Sequence, residues 1–399
     1  MRYIWCMDPV RNPFAPGAGS QPPELAGRDS IMDTARVALQ RAIIGRHGKS
    51  QILLGLRGTG KTVLLNKIEQ IANEQGHETA YIEAPEDREL PFLLYPKIHQ
   101  ALRRFSAVSN AKHQANRGLR SLRSFAGAFK IAFGDFSISV DPEAGSADSG
   151  DLEADLSELF IRLGEAAKAA GKAWTLLIDE VQYLSSRDYA ALIVAMHRVS
   201  QKNLPILFFG AGLPQVAALT GDAKSYAERL FDYPPIGALC EKAAKAALRQ
   251  PILDEGERIS PAALNMILNV TQGYAYFLQE WGYQVWNIAG RSPIGPATVE
   301  MGSIAAIKRL DEGFFRVRFD RLTPKEREYV FAMASLGPGP YRSADVAVKL
   351  GESIQSLGPR RARIISKGMI YSPAHGDIAF TVPLFDQYLA RIRDKNRDI

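Results

Sequence analysis

Cysteine is nearly missing: only Cys6 and Cys240 occur in 399 residues. That excludes a disulfide framework and a structural zinc site built on cysteine pairs. The six histidines, His47, His77, His99, His113, His197 and His375, show no metal-ligand spacing and read as surface or helix-packing residues. No Ser/His/Asp pattern of a hydrolytic triad stands out. Long hydrophobic runs are also missing, since nothing approaches the ~18 apolar residues of a membrane span. The stretch Tyr3–Met7 is too short for the apolar core of a secretory leader, and Pro, Gly and Asn follow it. A cytoplasmic protein with no membrane partner is therefore expected, and no internal repeat is visible. Acidic charge runs short in one place. From Arg316 to Ile399 there are 15 Lys/Arg against 9 Asp/Glu, while the remainder holds 34 of each. The net charge of +6 thus sits at the C-terminus, where it suits either a nucleic-acid contact or a solvated face.

What is present points to a phosphate site. Gly55-Leu-Arg57-Gly58-Thr59-Gly60-Lys61-Thr62 fits the pattern Gly-x-x-x-x-Gly-Lys-Thr. The apolar run Gln51–Leu54 before it reads as a buried parallel strand. Leu64, Leu65, Ile68, Ile71 and Ala72 after it recur at helical spacing. Strand, glycine loop and helix together turn the pattern into a nucleotide site. The glycines let backbone N–H groups surround a phosphate, and the helix N-terminus adds partial positive charge. Gly55, Arg57, Gly58, Thr59, Gly60, Lys61, Thr62 and Val63 are the candidate nucleotide-binding residues. Lys61 would neutralise the β- and γ-phosphates of ATP, and Thr62 would hold Mg²⁺.

A second element supports this chemistry. The apolar strand Trp174–Ile178 ends in Asp179-Glu180. Phosphoryl transfer needs a metal clamp and an oriented nucleophile, so Asp179 is assigned to Mg²⁺ and Glu180 to the attacking water. Gln182 either orients that water, senses the γ-phosphate or is a surface amide at a helix start. Arg229, in Ala227-Glu-Arg-Leu-Phe, either reaches the γ-phosphate of a neighbouring subunit or pairs locally with Glu228 or Asp232. Lys224 is a weaker candidate from the same segment.

Strands at 79–83, 173–178 and 204–210 alternate with helices, which predicts an α/β parallel sheet covered on both faces. Residues 1–25, rich in Pro, Gly and Asn, read as an extended arm. The core is drawn at 26–234 and a helical lid at 235–315. Residues 316–399 would form a basic C-terminal domain. Within the core, about 106–150 reads as an insertion. Seven Lys/Arg and no acid lie between Arg103 and Lys130, and eight Asp/Glu and no base between Asp135 and Glu158. The alternation Phe129–Val140 suggests a hairpin turning at Gly134-Asp135. The basic half either touches nucleic acid, pairs with the acidic half or faces water.

These residues resemble the AAA+ ATPases of the origin-recognition type, with kinship to the signal-transducing STAND ATPases. Gly27-Arg28-Asp29 is similar to the family motif near the adenine, so the resemblance adds Arg28 to the nucleotide site. Gly55–Thr62 and Leu176–Glu180 are similar to the Walker A and Walker B motifs. The resemblance implies a P-loop NTPase fold with a helical lid and a C-terminal winged helix-turn-helix. It also implies Mg²⁺-dependent ATP hydrolysis, ADP as product and nucleotide-dependent self-association. Two departures imply slow turnover. The fourth strand runs into Gly210-Ala-Gly212 where the family carries an Asn or Thr sensor, and Tyr276 stands in place of a sensing arginine. In the C-terminal region Thr323 is a natural N-cap for a first helix. Arg360, Arg361, Arg363 and Lys367 cluster on the supposed recognition helix, and Met369–Val382 alternates like a wing. Duplex DNA is the expected partner, and a protein partner is the alternative.

Overall fold

The structure, a computed structural model, describes residues 7–17, 26–131, 142 and 145–395. The predicted turn at Gly134-Asp135 lies outside them. Two compact units emerge. One comprises Arg28–Gly55 and Lys61–Ile236, and the other Met1–Gly27, Leu56–Gly60 and Gly237–Ile399.

The first unit is an α/β layer structure. Its elements are α1 (Asp29–Ile43), β1 (Ser50–Leu54), α2 (Lys61–Glu74), β2 (His77–Glu83), α3 (Leu90–Ser106), α4 (Lys112–Ala128), α5 (Leu152–Ala169), β3 (Ala173–Asp179), α6 (Ser186–Gln201), β4 (Ile206–Gly212), α7 (Val216–Ala223), α8 (Ala227–Leu230) and β5 (Phe231–Asp232). The five strands form one sheet in the order β2-β3-β4-β1-β5, and every pairing is parallel. β3 and β4 are buried along their whole length, as expected of strands covered on both faces. One face is covered by α1 and α2 through Met32, Ala35, Leu39, Leu64, Leu65 and Ile68. Val37 of α1 lies off that face and is 53% exposed. The other face is packed by α3–α6. Although α4 carries the basic run, its Ala115, Leu119, Leu122 and Phe125 belong to the main core. Its hydrophobic spacing lets a polar helix bury one stripe, with Arg117 and Arg120 half-buried and Arg123 exposed.

The fourth strand runs two residues further than 204–210. Gly210 and Gly212 are part of it, and Gly212 carbonyl accepts from the Gly55 N–H at 3.0 Å. A Cβ at Gly212 would lie 2.8 Å from side-chain atoms of Val181 and Val216, so close packing accounts for glycine there. Because the sheet is parallel, β1, β3 and β4 all end on the same edge, which is where open α/β sheets bind ligands.

The second unit is mainly helical: α9 (Glu241–Asp254), α10 (Pro261–Thr271), α11 (Ala275–Ile288), α12 (Pro296–Arg309), a π-helical turn (Leu310–Phe315), α13 (Arg316–Asp320), α14 (Pro324–Ala334), β6 (Tyr341–Arg342), α15 (Ser343–Leu350), α16 (Ile354–Ser366), β7 (Ile370–Tyr371), β8 (Asp377–Phe380) and α17 (Phe385–Lys395). A small antiparallel sheet runs β6-β8-β7. One apolar core runs through the unit from Ala244 to Leu389, and Phe315 packs on Phe385 and Tyr388. Residues on both sides of position 315 thus share that core. The described part of the N-terminal arm belongs to it too. Phe14 is 2% exposed and sits where a Cβ on Gly282 would be, 2.6 Å from the ring. Among the described residues no helix is long and apolar enough to cross a membrane.

Candidate functional site

In the sheet unit, the end of β3 and the start of α2 are joined through side chains. Thr62 Oγ1 donates to Asp179 Oδ2 at 2.6 Å, and Tyr81 Oη donates to the same oxygen at 3.2 Å. The Glu180 N–H donates to Asp179 Oδ1 at 2.8 Å. Asp179 is only 4% exposed, and three donors satisfy its buried carboxylate oxygens. Tyr81 was missed by sequence reasoning. It is one strand over, in register with Leu177, and reaches Asp179 because β2 borders β3. Burial and then the Asp179 charge push the Tyr81 phenol well above its ordinary value, so it remains a donor.

Glu180 follows in left-handed backbone conformation, with φ +53°. Such a conformation is uncommon for a residue with a side chain and clusters at functional positions. Its carboxylate accepts a short hydrogen bond from the Gln182 amide. Gln182 Oε1 in turn accepts from the Leu213 N–H at 3.2 Å, just beyond β4. Gln182 is therefore neither a free surface amide nor isolated. It ties Glu180 to the strand end that lacks a polar side chain.

Lys61 opens α2 and is 6% exposed. Val63 follows Thr62 in the same turn and is half-buried. Gly55 closes β1 against Gly212. Arg28 caps α1, its carbonyl accepting from the Ile31 and Met32 N–H groups, and is 9% exposed. Arg229 lies exposed on α8 and forms no ion pair with described residues. Its alternative partner Asp232 is taken by Lys49 at 2.5 Å. Lys224 is engaged by Glu153 at 2.8 Å.

The middle of the glycine loop, Leu56–Gly60, packs within the helical unit. Gly58 and Gly60 have φ of +82° and +95°, which only glycine adopts without strain. Thr59 Oγ1 donates to the Leu56 carbonyl at 2.9 Å and shapes the turn. The Arg57 N–H donates to the Thr381 carbonyl at 3.3 Å, and the Gly58 carbonyl accepts from the Tyr276 N–H at 3.1 Å. A Cβ on Gly58 would lie 3.1 Å from the Tyr274 ring and 3.1 Å from Tyr276 Cβ. Glycine is needed here for close approach as well as for φ.

The four basic residues assigned to nucleic acid all lie on or just after α16, and each has an intradomain partner. Arg360 makes a two-pronged pair with Glu352 at 3.0 and 3.3 Å, and its side chain is 13% exposed. Arg361 donates to Ser343 Oγ at 2.9 Å. Lys367 pairs with Glu326 Oε2 at 2.6 Å, and Arg363 lies 3.8 Å from Glu326 Oε1 with its side chain 64% exposed. Burial works against the Glu326 charge, yet Lys367 and the Thr323 cap outweigh it and hold the carboxyl below its ordinary value.

Among the described residues no group of three or more His, Cys, Asp or Glu could hold a metal. Thr62 and Asp179 nevertheless fit Mg²⁺. Both offer oxygen, and Mg²⁺ bound to nucleotides takes one or two protein ligands beside phosphate and water.

Residues 24–209 match the family described as AAA ATPase domain, and residues 312–389 match a domain family of unknown function. Among solved structures the chain is similar to a Walker-type ATPase of Pyrococcus abyssi, with 15% identity and a TM-score of 0.57. That match covers 93% of this chain and 97% of the other. It also matches Cdc6p from Pyrobaculum aerophilum, with 15% identity, coverage of 98% and 99%, and a TM-score of 0.47. The Orc1 protein of Aeropyrum pernix in complex with DNA matches with 14% identity, coverage of 95% and 96%, and a TM-score of 0.46. At 15% identity the likeness to the Pyrococcus abyssi ATPase is one of fold. No curated protein matches the sequence.

Proposed function

We propose, for a chain that carries an AAA ATPase domain over residues 24–209, that it is a slow Mg²⁺-dependent ATPase working as a switch. The observation that carries this reading is the hydrogen bond between Thr62 and Asp179 at the mouth of the phosphate loop. It joins the two oxygen ligands that Mg²⁺ needs from the protein, and bound Mg²⁺ neutralises charge on the phosphoryl oxygens. Lys61 and the loop N–H groups bind the phosphates. Glu180 accepts the proton of the water that attacks the γ-phosphorus, and ADP leaves. The absence of a polar side chain at Gly210 and Gly212, and Tyr276 in place of an arginine, support low turnover. Arg229, exposed on α8, is the candidate finger toward a second copy of the chain. The proposed division of labour is an arm (1–25), an ATPase core (26–234), a lid (235–315) and a winged-helix output (316–399).

For the output we favour duplex DNA. The order helix, short strand, two helices and hairpin from α14 to β8 is that of a winged helix, and the region carries the excess positive charge. A specific observation supports the second reading, a protein partner. Glu352 and Glu326 already occupy Arg360 and Lys367, which lowers the charge α16 can offer to phosphates. Nucleotide binding and turnover by wild type, Lys61→Ala and Glu180→Gln test the ATPase reading. Salt-dependent duplex binding tests the output.

A further inference from the structure

One cationic side chain in the helical unit has no work in the site as described. Arg318, in α13, lies half-buried with its guanidinium carbon 3.8 Å from the centre of the Phe314 ring. Its Nη1 donates to the Phe314 carbonyl at 2.6 Å, which uses one of five N–H donors. Phe314 in turn stacks on Tyr276, with ring centres 4.7 Å apart. Tyr276 and Tyr274 lie against Gly58 of the glycine loop. The same unit therefore holds the loop residues 56–60, two tyrosines and Arg318 as one connected group.

Two observations make this group an address for an anion. First, no carboxylate among the described residues forms an ion pair with Arg318, while Arg57 acts on it as a like charge. Burial and then Arg57 lower the Arg318 value to about 10, so it is still charged at neutral pH. A half-buried guanidinium with no carboxylate pair among the described residues gains from an anion. Second, the Tyr274 hydroxyl is buried, with the residue 4% exposed, and finds no hydrogen-bond partner among the described residues. It lies 3.5 Å from where a Gly58 Cβ would be. A buried donor left open beside a phosphate loop fits a phosphate oxygen.

We propose that Arg318 and the Tyr274 hydroxyl contact the phosphates of the nucleotide held by Leu56–Gly60, so that a helix after the lid supplies the cation that Tyr276 does not. The proposal rests on the ATP-binding reading above. A cationic reader in α13 would also make the Leu310–Asp320 segment respond to bound nucleotide, because π-helical turns often mark functional sites.

The test is fluorescent-nucleotide titration of the full chain with ATP and ADP, comparing wild type, Arg318→Ala, Arg318→Lys, Tyr274→Phe and Lys61→Ala. Arg318→Ala is expected to weaken ATP binding roughly 10- to 100-fold, the range of one charge-assisted hydrogen bond. Arg318→Lys should recover part of that loss. Tyr274→Phe, which keeps the ring on Gly58, should weaken binding several-fold and serves if Arg318→Ala does not fold. Melting without nucleotide should be unchanged or raised in Tyr274→Phe, whose hydroxyl has no hydrogen-bond partner among the described residues to lose. Parent affinity in Arg318→Ala and Tyr274→Phe, with binding lost in Lys61→Ala, overturns the proposal and leaves the ATP site standing. Parent affinity in Lys61→Ala as well overturns the ATP site itself.

Discussion

Thr62 and Asp179 stand 117 residues apart in sequence and are joined by a 2.6 Å hydrogen bond. The contact exists because β1 and β3 are parallel neighbours of β4, which brings both C-terminal ends to one edge of the sheet. Tyr81 completes it from β2, donating to the same carboxylate oxygen as Thr62. A group that orients a metal-binding carboxylate without touching the metal usually contributes 10–100-fold to metal affinity. Tyr81→Phe should raise the Mg²⁺ concentration needed for half-maximal turnover by roughly tenfold, while metal-free nucleotide binding stays at the parent value. A magnesium titration of the steady-state rate checks this.

His77 gives the fold a pH dependence. Its Nε2 faces the Leu39 carbonyl at 3.1 Å, so Nε2 carries the proton and donates, and Nδ1 accepts from Thr175 at 2.7 Å. Burial lowers its value to about 4, with the Leu39 hydrogen bond opposing. The unfolded chain takes up a proton near pH 6.5 and the folded chain only near pH 4. Between these values the unfolded state binds more protons, so stability falls as pH drops through that window, by about 3 kcal/mol in total. Chemical denaturation at pH 7 and pH 4.5 should show the loss, and His77→Gln should show less of it.

The N-terminal arm contributes to stability through one ring. Phe14→Ala empties a site at Gly282 and should destabilise by about 3–5 kcal/mol. Gly282→Ala overfills the same site and should destabilise by about 1–3 kcal/mol. Denaturant midpoints of the two variants, with the m-value unchanged, test the packing.

DNA binding should depend steeply on salt. If α16 contacts phosphates, fluorescence anisotropy on duplex should fall strongly between 50 and 200 mM salt. Reversing the charge of Arg360, Arg361 and Arg363 should weaken it further. Because Arg360 is paired with Glu352, Arg363, the more exposed residue, should have the larger single effect. Salt-independent or absent binding with ATP present would favour a protein partner.

The fold and half of the site were legible in the sequence for definite reasons. The glycine loop is contiguous, and its strand and helix flank it directly. Asp179-Glu180 could be located because a fully apolar strand precedes it. Tyr81 was not legible, since its role depends on β2 bordering β3. The histidines look alike in sequence, yet His77 is a buried strand residue and not a surface or helix-packing one. The basic cluster on α16 reads as free charge because Glu326 and Glu352, its partners, come from α14 and the turn before α16. Arg318 was hidden for the same reason. Its meaning comes from Phe314, Tyr276 and Gly58, which packing alone brings together.

Single-turnover hydrolysis of ATP by wild type and Glu180→Gln, with nucleotide affinity measured in parallel, tests the account most directly. Slow Mg²⁺-dependent hydrolysis is predicted for the wild type. Glu180→Gln should bind ATP with parent affinity and hydrolyse it about 10²- to 10⁴-fold more slowly, the usual worth of a general base. Hydrolysis by Glu180→Gln at the parent rate would contradict the assignment of Glu180 as the proton acceptor.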